Sequence, residues 1–306
     1  MSRFQEAMER GKAAGSRGPA GRSAELWPEE TPRTELFDAP WRIRDQDDEP
    51  AGRPPAAFGS SAAVRQARPA ARAPETLAVG GLGTLQVRPD LSEKVVSDPA
   101  TSAVVVEMYR SIAARLQVRR ADHGCTTLMV GSAVAGEGRT LTALNLAISL
   151  RSSLLQSVLL VDADLVEPCL HHLLLTDERP GLGDALLTGQ TPRPIALGKH
   201  LGFLPAGRSV AAPDVEALAA AIAQVSGGYD WTVLDTAPMT ASVETRQLAR
   251  LVDAVVMVAA AGRTSHQLAG EAIRQVADDR LVGLVLNGVA SGDMKAAEHR
   301  RYRSQR

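Results

Sequence analysis

Two glycines, a basic residue and a hydroxyl follow a short apolar run in the middle of the chain. The run TTLMVGS (126–132) leads into AVAGEGRT (133–140). Glycines let backbone N–H groups close around a phosphate, and the N-terminus of a following helix adds its dipole. Thr140 stands where a hydroxyl would bind Mg²⁺. The pattern predicts a near P-loop, in which Ala133 replaces the first glycine and Arg139 replaces the lysine.

Carboxylates follow two further apolar runs. SVLLVDAD (157–164) ends in Asp162 and Asp164, and WTVLDTAP (231–238) contains Asp235. The carboxyl ends of parallel strands share one edge of a sheet, so these carboxylates would converge near the glycine loop. Mg²⁺ prefers such a set together with waters and phosphates. The alternative is that each aspartate caps the next helix. Three such elements in this order favour a nucleotide and Mg²⁺ site.

The apolar runs are continuous rather than alternating, and predicted helices separate them. This hydrophobicity pattern is typical of a parallel sheet that is buried on both faces, so the sequence predicts a doubly wound α/β fold. The predicted strands are 126–132, 157–164, 202–207, 231–238, 254–261 and 282–289. The predicted helices are 102–117, 139–150, 168–175, 213–225 and 265–276.

Composition divides the chain of 306 residues into three parts. Residues 1–95 are rich in Ala, Arg and Pro and are predicted to form a largely disordered arm and linker. Residues 96–292 form the predicted α/β domain, and residues 293–306 form a basic tail. The net charge of -1 argues against nucleic-acid binding. Two cysteines cannot build a disulfide framework or a zinc cage, which indicates a reducing cytoplasm. No run reaches the roughly 18 apolar residues that a membrane-spanning helix needs.

A family resemblance rests on several of these segments together. GEGRT, VLLVDADLVEP, GLGDALLTG, FLPAG, YDWTVLDTAP and VGLVLNGV, with EMYRS (107–111) before them, resemble the bacterial tyrosine kinases of capsule and exopolysaccharide synthesis. That family belongs to the deviant-Walker P-loop ATPases, with the MinD and ParA proteins. The resemblance covers about residues 97–290. It implies a P-loop NTPase fold with ATP and Mg²⁺ as cofactors.

The resemblance also implies roles for individual residues. The implied nucleotide-binding set is Gly136, Glu137, Gly138, Arg139, Thr140, Leu141 and Asn287, with Asn287 at the base. The implied catalytic set is Arg139, Asp162, Asp164 and Asp235. Thr140, Asp162 and Asp235 would hold Mg²⁺. Such a set suffices in principle, because phosphoryl transfer needs positioning and charge neutralisation more than covalent chemistry.

The chain departs from the family pattern at four places. Arg139 replaces the loop lysine in a chain whose 34 basic residues include only four lysines. Val166 and Glu167 stand where the family tends to have a basic residue. Ala113 takes the third place of a Glu-x-x-Arg-x-x-Arg helix that begins at Glu107 and Arg110. Tyr302 is the only tyrosine in the tail, so it is the one candidate phosphoacceptor there, and a solvated basic tail is the alternative.

Three functions fit these observations. The first is an ATP-dependent tyrosine autokinase that regulates exopolysaccharide or capsule synthesis or export. It would require a separate membrane-bound polysaccharide co-polymerase as its activator, which would recruit it from the cytoplasm to the inner face of the plasma membrane. Self-association through the Glu107 and Arg110 helix would accompany this role. The second is a catalytically weak nucleotide-binding scaffold or regulatory subunit of the same machinery. The third is a partition-type ATPase that positions cargo.

Overall fold

The structure, a computed structural model, describes residues 85–154, 156–176 and 180–289. The predicted arm up to residue 84, the tail 293–306 and Tyr302 lie outside these ranges. The strands are β1 (Thr127–Ser132), β2 (Val158–Asp162), β3 (Ile195–Ala196), β4 (Leu201–Leu204), β5 (Trp231–Asp235), β6 (Ala254–Ala260) and β7 (Leu281–Asn287). The helices are α1 (Ala103–His123), α2 (Arg139–Leu154), α3 (Leu170–Leu173), α4 (Leu182–Thr188), α5 (Val215–Ser226), α6 (Val243–Leu248) and α7 (His266–Ile273).

The strands form one sheet in the order β3-β4-β2-β5-β1-β6-β7. All neighbouring pairs are parallel except β3 and β4, which are antiparallel. The predicted doubly wound, mostly parallel α/β fold is therefore confirmed. β1 lies between β5 and β6, and Asp162 of β2 pairs in register with Asp235 of β5. The sheet thus brings the two predicted acidic strand ends together beside the strand that precedes the glycine loop.

Alternate residues of the central strands contribute to two apolar cores, one on each face of the sheet. Leu128 and Val130 of β1 belong to the core that α1 and α2 cover, together with Phe203 and Trp231. Met129 belongs to the core that α5, α6 and α7 cover. Burial on both faces explains why these strands read as continuous apolar runs.

Several element bounds differ from the sequence-based expectation. β3 was not predicted, because a two-residue edge strand leaves almost no periodic signal. The predicted helix 168–175 is reduced to the single turn of α3. The predicted strand 202–207 ends at Leu204, because residues 205–207 turn toward α4 instead.

Residues just before the predicted boundary at residue 96 pack against the α/β core. A 3₁₀ turn spans Ser92–Lys94, and Val95 is buried in the α1–α2 core. The side-chain amide of Asn145 in α2 bonds to this segment through both of its polar atoms. Asn145 Oδ1 accepts from Val96 N, and Asn145 Nδ2 donates to Lys94 O, each at 2.9 Å. The buried asparagine in the middle of α2 therefore anchors the entry to the domain.

Three glycines allow α4 to contact the turn that follows β4. A Cβ on Gly181 would lie 2.2 Å from Pro205 O, and a Cβ on Gly183 would lie 1.9 Å from Arg208 O. Gly207 has φ +70° and lies against the Asp184 carboxylate. That carboxylate accepts from Gly181 N at 2.9 Å and from Arg208 Nε at 2.7 Å. The GLGDALLTG segment is thus a packing motif that joins α4 to the end of β4.

Candidate functional site

The glycine loop lies between the end of β1 and the start of α2, where the sequence predicted it. Gly136 and Gly138 have φ of +79° and +89°, a region that side chains with a Cβ rarely adopt. A Cβ on Gly138 would also lie 1.9 Å from the Nδ2 atom of Asn287. The loop backbone can therefore take this shape only with glycine at residue 138. It leads directly into the first turn of α2, which is the geometry of an anion site.

Arg139 directs its guanidinium inward, to the acidic strand ends. Its Nε donates to Asp235 Oδ1 at 3.0 Å, and its Nη2 donates to Asp164 Oδ2 at 3.1 Å. Its Nη1 donates to Ser132 Oγ at 3.1 Å. Only 9% of the Arg139 side chain is exposed. All three guanidinium nitrogens therefore have protein partners, and the positive charge neutralises the buried carboxylates.

The carboxylate oxygens are almost all committed to N–H donors. Asp162 accepts from Leu170 N at 3.0 Å and from Asp164 N at 3.3 Å. Asp164 accepts from Glu167 N at 3.0 Å in addition to Arg139. The exception is Asp235 Oδ2, which is buried and accepts no hydrogen bond of ordinary geometry among the described residues, although the nearby Thr140 hydroxyl helps to lower the pKa of Asp235. One acceptor in the cluster is therefore left for a ligand.

Burial raises the pKa values of two of these acids. Desolvation is the main cause of the strongly raised pKa of Asp162, and the neighbouring Asp235 charge adds to it. Desolvation also raises the pKa of Asp235, while Arg139 opposes that rise. Taking charged carboxylates out of water is unfavourable unless a counter-charge is present. The cluster therefore favours a cation.

The predicted Mg²⁺ ligands fit such an ion unequally. Asp235 Oδ2 is an unpartnered buried acceptor, which suits a cation. Thr140 Oγ1 lies 3.2 Å from Cys169 Sγ, a weak partner that leaves the hydroxyl oxygen available. Asp162 fits less well, because its two oxygens already accept backbone N–H bonds. No group of three or more His, Cys, Asp or Glu residues within the described ranges forms a metal site by itself. A bound ion would therefore depend on Thr140, Asp235 and oxygens supplied by a ligand.

Glu137 and Asn287 brace the loop from outside. The Glu137 carboxylate accepts from Val134 N at 2.8 Å and contacts Thr264 Oγ1. Asn287 Nδ2 donates to Glu137 O at 2.9 Å. The glycine loop is thus joined to the turn that follows β6 and to the last residue of β7, which fixes its shape. The predicted role of Asn287 at the nucleotide base stays a prediction, as do the binding roles of Glu137 and of the partly buried Leu141.

Sequence reasoning missed Ser132, Arg263 and Thr264. Ser132 accepts from Arg139, and Thr264 contacts Glu137. Arg263 lies above the loop, where a Cβ on Gly136 would be 3.6 Å from its Nη2 atom. The sequence does contain a signal that places Arg263 and Thr264 near the loop. They follow β6, a parallel strand whose carboxyl end must lie at the same edge as the end of β1.

The described tyrosines pack against the domain. Tyr229 lies over Gly202 and against the α5 side of the core, and desolvation raises its pKa. Tyr109 packs against the α1–α2 core, and its hydroxyl lies 3.4 Å from Thr142 Oγ1. Both tyrosines therefore contribute to packing of the domain.

The helix predicted to mediate self-association exposes its charged pair. Glu107 and Arg110 are 3.8 Å apart, with side chains 75% and 64% exposed. Ala113 is fully buried, so the third position of the motif faces the core here. Met108 of α1 is 47% exposed, because the buried face of the helix centres on Ala113 and Leu116.

The two cysteines differ in exposure. Cys125 is buried and Cys169 is exposed. Desolvation raises the pKa of Cys125 to about 12 and that of Cys169 to about 11. Both thiols are therefore protonated at neutral pH, which makes them poor nucleophiles.

Comparison with known proteins identifies the family. The family described as cellulose biosynthesis protein BcsQ matches residues 125–287, which is more than half of the chain. The chain belongs to the BcsQ family. The match runs from two residues before β1 to the last residue of β7, so this BcsQ-family segment includes the glycine loop, the acidic strand ends and Asn287.

Individual relatives of the BcsQ-family chain are kinases and polysaccharide export proteins. Tyrosine-protein kinase YwqD of Bacillus subtilis is 27% identical over 222 residues, which cover 69% of this chain and 91% of YwqD. Succinoglycan biosynthesis transport protein ExoP of Rhizobium meliloti is 28% identical over 211 residues, which cover 61% of this chain and 26% of ExoP. The chain therefore spans most of YwqD but only about a quarter of ExoP. The predicted resemblance to the tyrosine kinases of exopolysaccharide synthesis is confirmed.

Solved structures share the fold of the BcsQ-family chain. The chimerical protein CapA2B2 has a TM-score of 0.59 and 22% identity, covering 69% of this chain and 94% of that one. The kinase domain of Escherichia coli tyrosine kinase ETK has a TM-score of 0.57 and 22% identity, covering 71% and 86%. At these identities the likeness concerns the fold. Among the helices described, none combines the length and apolar character needed to cross a bilayer.

Proposed function

We propose that this protein is an ATP-binding, tyrosine-kinase-like regulator of exopolysaccharide biosynthesis or export. The observation that supports the proposal most directly is the glycine loop at the start of α2, with Asp162, Asp164 and Asp235 gathered behind it. At this edge of the sheet, the loop backbone can bind a phosphate chain and the carboxylates can balance the charge of a cation. The kinase YwqD and the transport protein ExoP support the biological setting.

The chain's own residues would contribute binding and charge. The loop backbone from Gly136 to Thr140 would hold the phosphates, and Thr140 and Asp235 would hold Mg²⁺. Bound Mg²⁺ would neutralise charge on the phosphate oxygens. Asn287, which already braces the loop, would border the nucleotide base. Asp162 and Asp164 would orient and activate the acceptor hydroxyl, as the family resemblance implies.

We also propose a membrane-bound polysaccharide co-polymerase as partner. The name of ExoP, a biosynthesis transport protein, supports this pairing. The partner would hold the protein at the inner face of the plasma membrane. The exposed Glu107 and Arg110 pair on α1 is available for contacts between copies of the chain.

A second candidate is a catalytically weak, nucleotide-sensing subunit of the same machinery. The inward position of Arg139 favours it specifically. The guanidinium is bonded to Asp164 and Asp235, so the cation that should face the phosphates instead occupies the acidic cluster. Turnover would be slow if these ion pairs persist when a nucleotide binds.

Calorimetry with Mg·ATP, combined with an ATP-turnover assay, tests the proposal. Binding with turnover and a phosphotyrosine signal supports a kinase, and loss of that signal in Tyr302→Phe would identify the acceptor. Binding without turnover supports the regulatory subunit. In that case Arg139→Lys tests whether the arginine limits catalysis, because a lysine has one compact charge that cannot bridge both aspartates. Failure of the native protein to bind nucleotide would contradict both candidates.

A further inference from the structure

Among the described residues, the proposed phosphate site has no free cation at the position where P-loops have one. Nε, Nη1 and Nη2 of Arg139 each donate to a protein acceptor, and two of those acceptors are carboxylates. If Arg139 turned toward a ligand, Asp164 and Asp235 would lose their counter-charge unless a bound cation replaced it. With Arg139 bonded in this way, a cationic side chain that donates to the phosphates beside Mg²⁺ has to come from another part of this edge of the sheet.

Arg263 lies on the turn between β6 and α7, directly over the glycine loop. Its Nη2 atom is 3.6 Å from the position that a Cβ on Gly136 would take. The side chain is exposed, and no carboxylate of the described residues forms an ion pair with it. The guanidinium is thus close to the loop and has donors available for a ligand.

The backbone of this turn is fastened to the loop. Arg263 N donates to Ala260 O at 3.2 Å, which closes the turn. Thr264 Oγ1 accepts from Ala260 N at 2.9 Å and contacts the Glu137 carboxylate. Glu137 in turn accepts from Val134 N within the glycine loop. The backbone of Arg263 is therefore fixed close to the glycine loop. Its long side chain has only a short distance to cover to reach a phosphate held by that loop.

We propose that Arg263 supplies the phosphate-facing positive charge of this site, while Arg139 is a permanent counter-ion of the acidic cluster. The inference rests on the proposed nucleotide-binding function. The ligand group that Arg263 would contact is the polyphosphate of a nucleoside triphosphate, to which a guanidinium can donate two parallel hydrogen bonds. Arg263 is a binding residue in this assignment, and Arg139 holds the carboxylates in place.

Nucleotide titrations of the full chain test this assignment. Arg263→Gln should weaken Mg·ATP binding about tenfold, the size expected for one charge-assisted contact at a partly exposed site. AMP should bind with nearly unchanged affinity, since its single phosphate offers little of the polyphosphate charge. Arg263→Lys should retain most of the ATP affinity because it keeps the charge. The deficit of Arg263→Gln should shrink at high salt, where exposed charges are screened.

Arg250→Gln is the matched control. Arg250 is also an exposed arginine, but it lines a separate cleft between α6 and α7 with Arg246 and Arg274. This variant should bind ATP like the native protein, and neither glutamine variant should change the melting temperature. Native-like ATP affinity in Arg263→Gln, or equal losses for ATP and AMP, would overturn the role of Arg263 while leaving the proposed function intact. Absence of nucleotide binding by the native protein would overturn both.

Discussion

Arg139 is a buried cation that two carboxylates and a serine hydroxyl surround. Replacing it removes the only charge that bonds directly to Asp164 and Asp235 among the described side chains. A buried ion pair adds little net stability compared with an apolar pair, but removal of one partner leaves an uncompensated charge. The ion pairs of Arg139 thus stabilise the acidic cluster, and they also keep the guanidinium from contacting a ligand.

Arg139→Met should lower the free energy of unfolding at pH 7 by about 3 kcal/mol, because Asp164 and Asp235 lose their counter-charge. Urea denaturation measures this. Arg208→Gln is the control: Arg208 pairs with Asp184, but its side chain is 70% exposed, so its loss should cost less than about 1 kcal/mol. Adding Asp235→Asn to Arg139→Met should recover part of the loss. Equal effects of the two single substitutions would contradict the view that the Arg139 pairs matter because they are buried.

At the scale of elements, α4 approaches the end of β4 so closely that only glycine fits at the contact. Gly183→Ala would place a methyl group 1.9 Å from Arg208 O. The backbone must then move, which should cost about 2 kcal/mol. Gly227→Ala is the control, because that glycine has φ -60° and nothing within 4 Å of its Cβ position. It should be neutral or slightly stabilising. Urea midpoints that fall equally in both variants would contradict the packing role of GLGDALLTG.

A second contact between elements involves Asp230, which joins α1 to the amino ends of β2 and β5. Its carboxylate accepts from Ser157 N and from Arg120 Nη2, each at 2.9 Å. Desolvation would raise the pKa of Asp230, but these bonds outweigh it and the pKa is lowered. A lowered carboxyl pKa stabilises the fold above the unfolded value of about 3.9, and that contribution is lost as the pH falls through the folded value.

The unfolding midpoints of the native protein and Asp230→Asn should therefore converge as the pH falls below about 4. The native protein should have the higher midpoint at pH 7, because the charged form of Asp230 is the one that Ser157 and Arg120 stabilise. Urea titrations between those pH values measure the difference. Two curves that stay parallel over the whole range would show that the charge of Asp230 contributes nothing to stability.

At the scale of the whole molecule, ligand binding and folding are linked through the edge of the sheet. Mg·ATP at about a hundredfold excess over its Kd should stabilise the protein by about 2.7 kcal/mol, visible as a higher melting temperature. Thr140→Ala should lose the part of this shift that depends on Mg²⁺ while keeping the part that ATP gives with a chelator present. A shift that is independent of Mg²⁺ in the native protein would contradict the assignment of Thr140 and Asp235 as the ion's ligands.

The local pattern of the sequence determined the strand–loop–helix at residues 126–140, the acidic strand ends and the class of the fold. These features depend on nearest neighbours along the chain: glycine sets the loop conformation, and continuous apolar runs require burial on both faces. The resemblance to exopolysaccharide tyrosine kinases followed from the same segments. The edge strand β3 was missed because two residues have no period.

Only the tertiary structure decided what the charged side chains contact. Arg139 and Asp235 are 96 positions apart in the chain, and Glu137 and Asn287 are 150 apart. No periodicity relates such residues. Their contacts arise because β5, β6 and β7 pair into one parallel sheet beside β1 and β2, which brings every carboxyl end to the same edge. The sequence therefore predicted a phosphate site at this edge. The packing of the sheet decided that Arg139 neutralises the acids and that Arg263 lies over the loop.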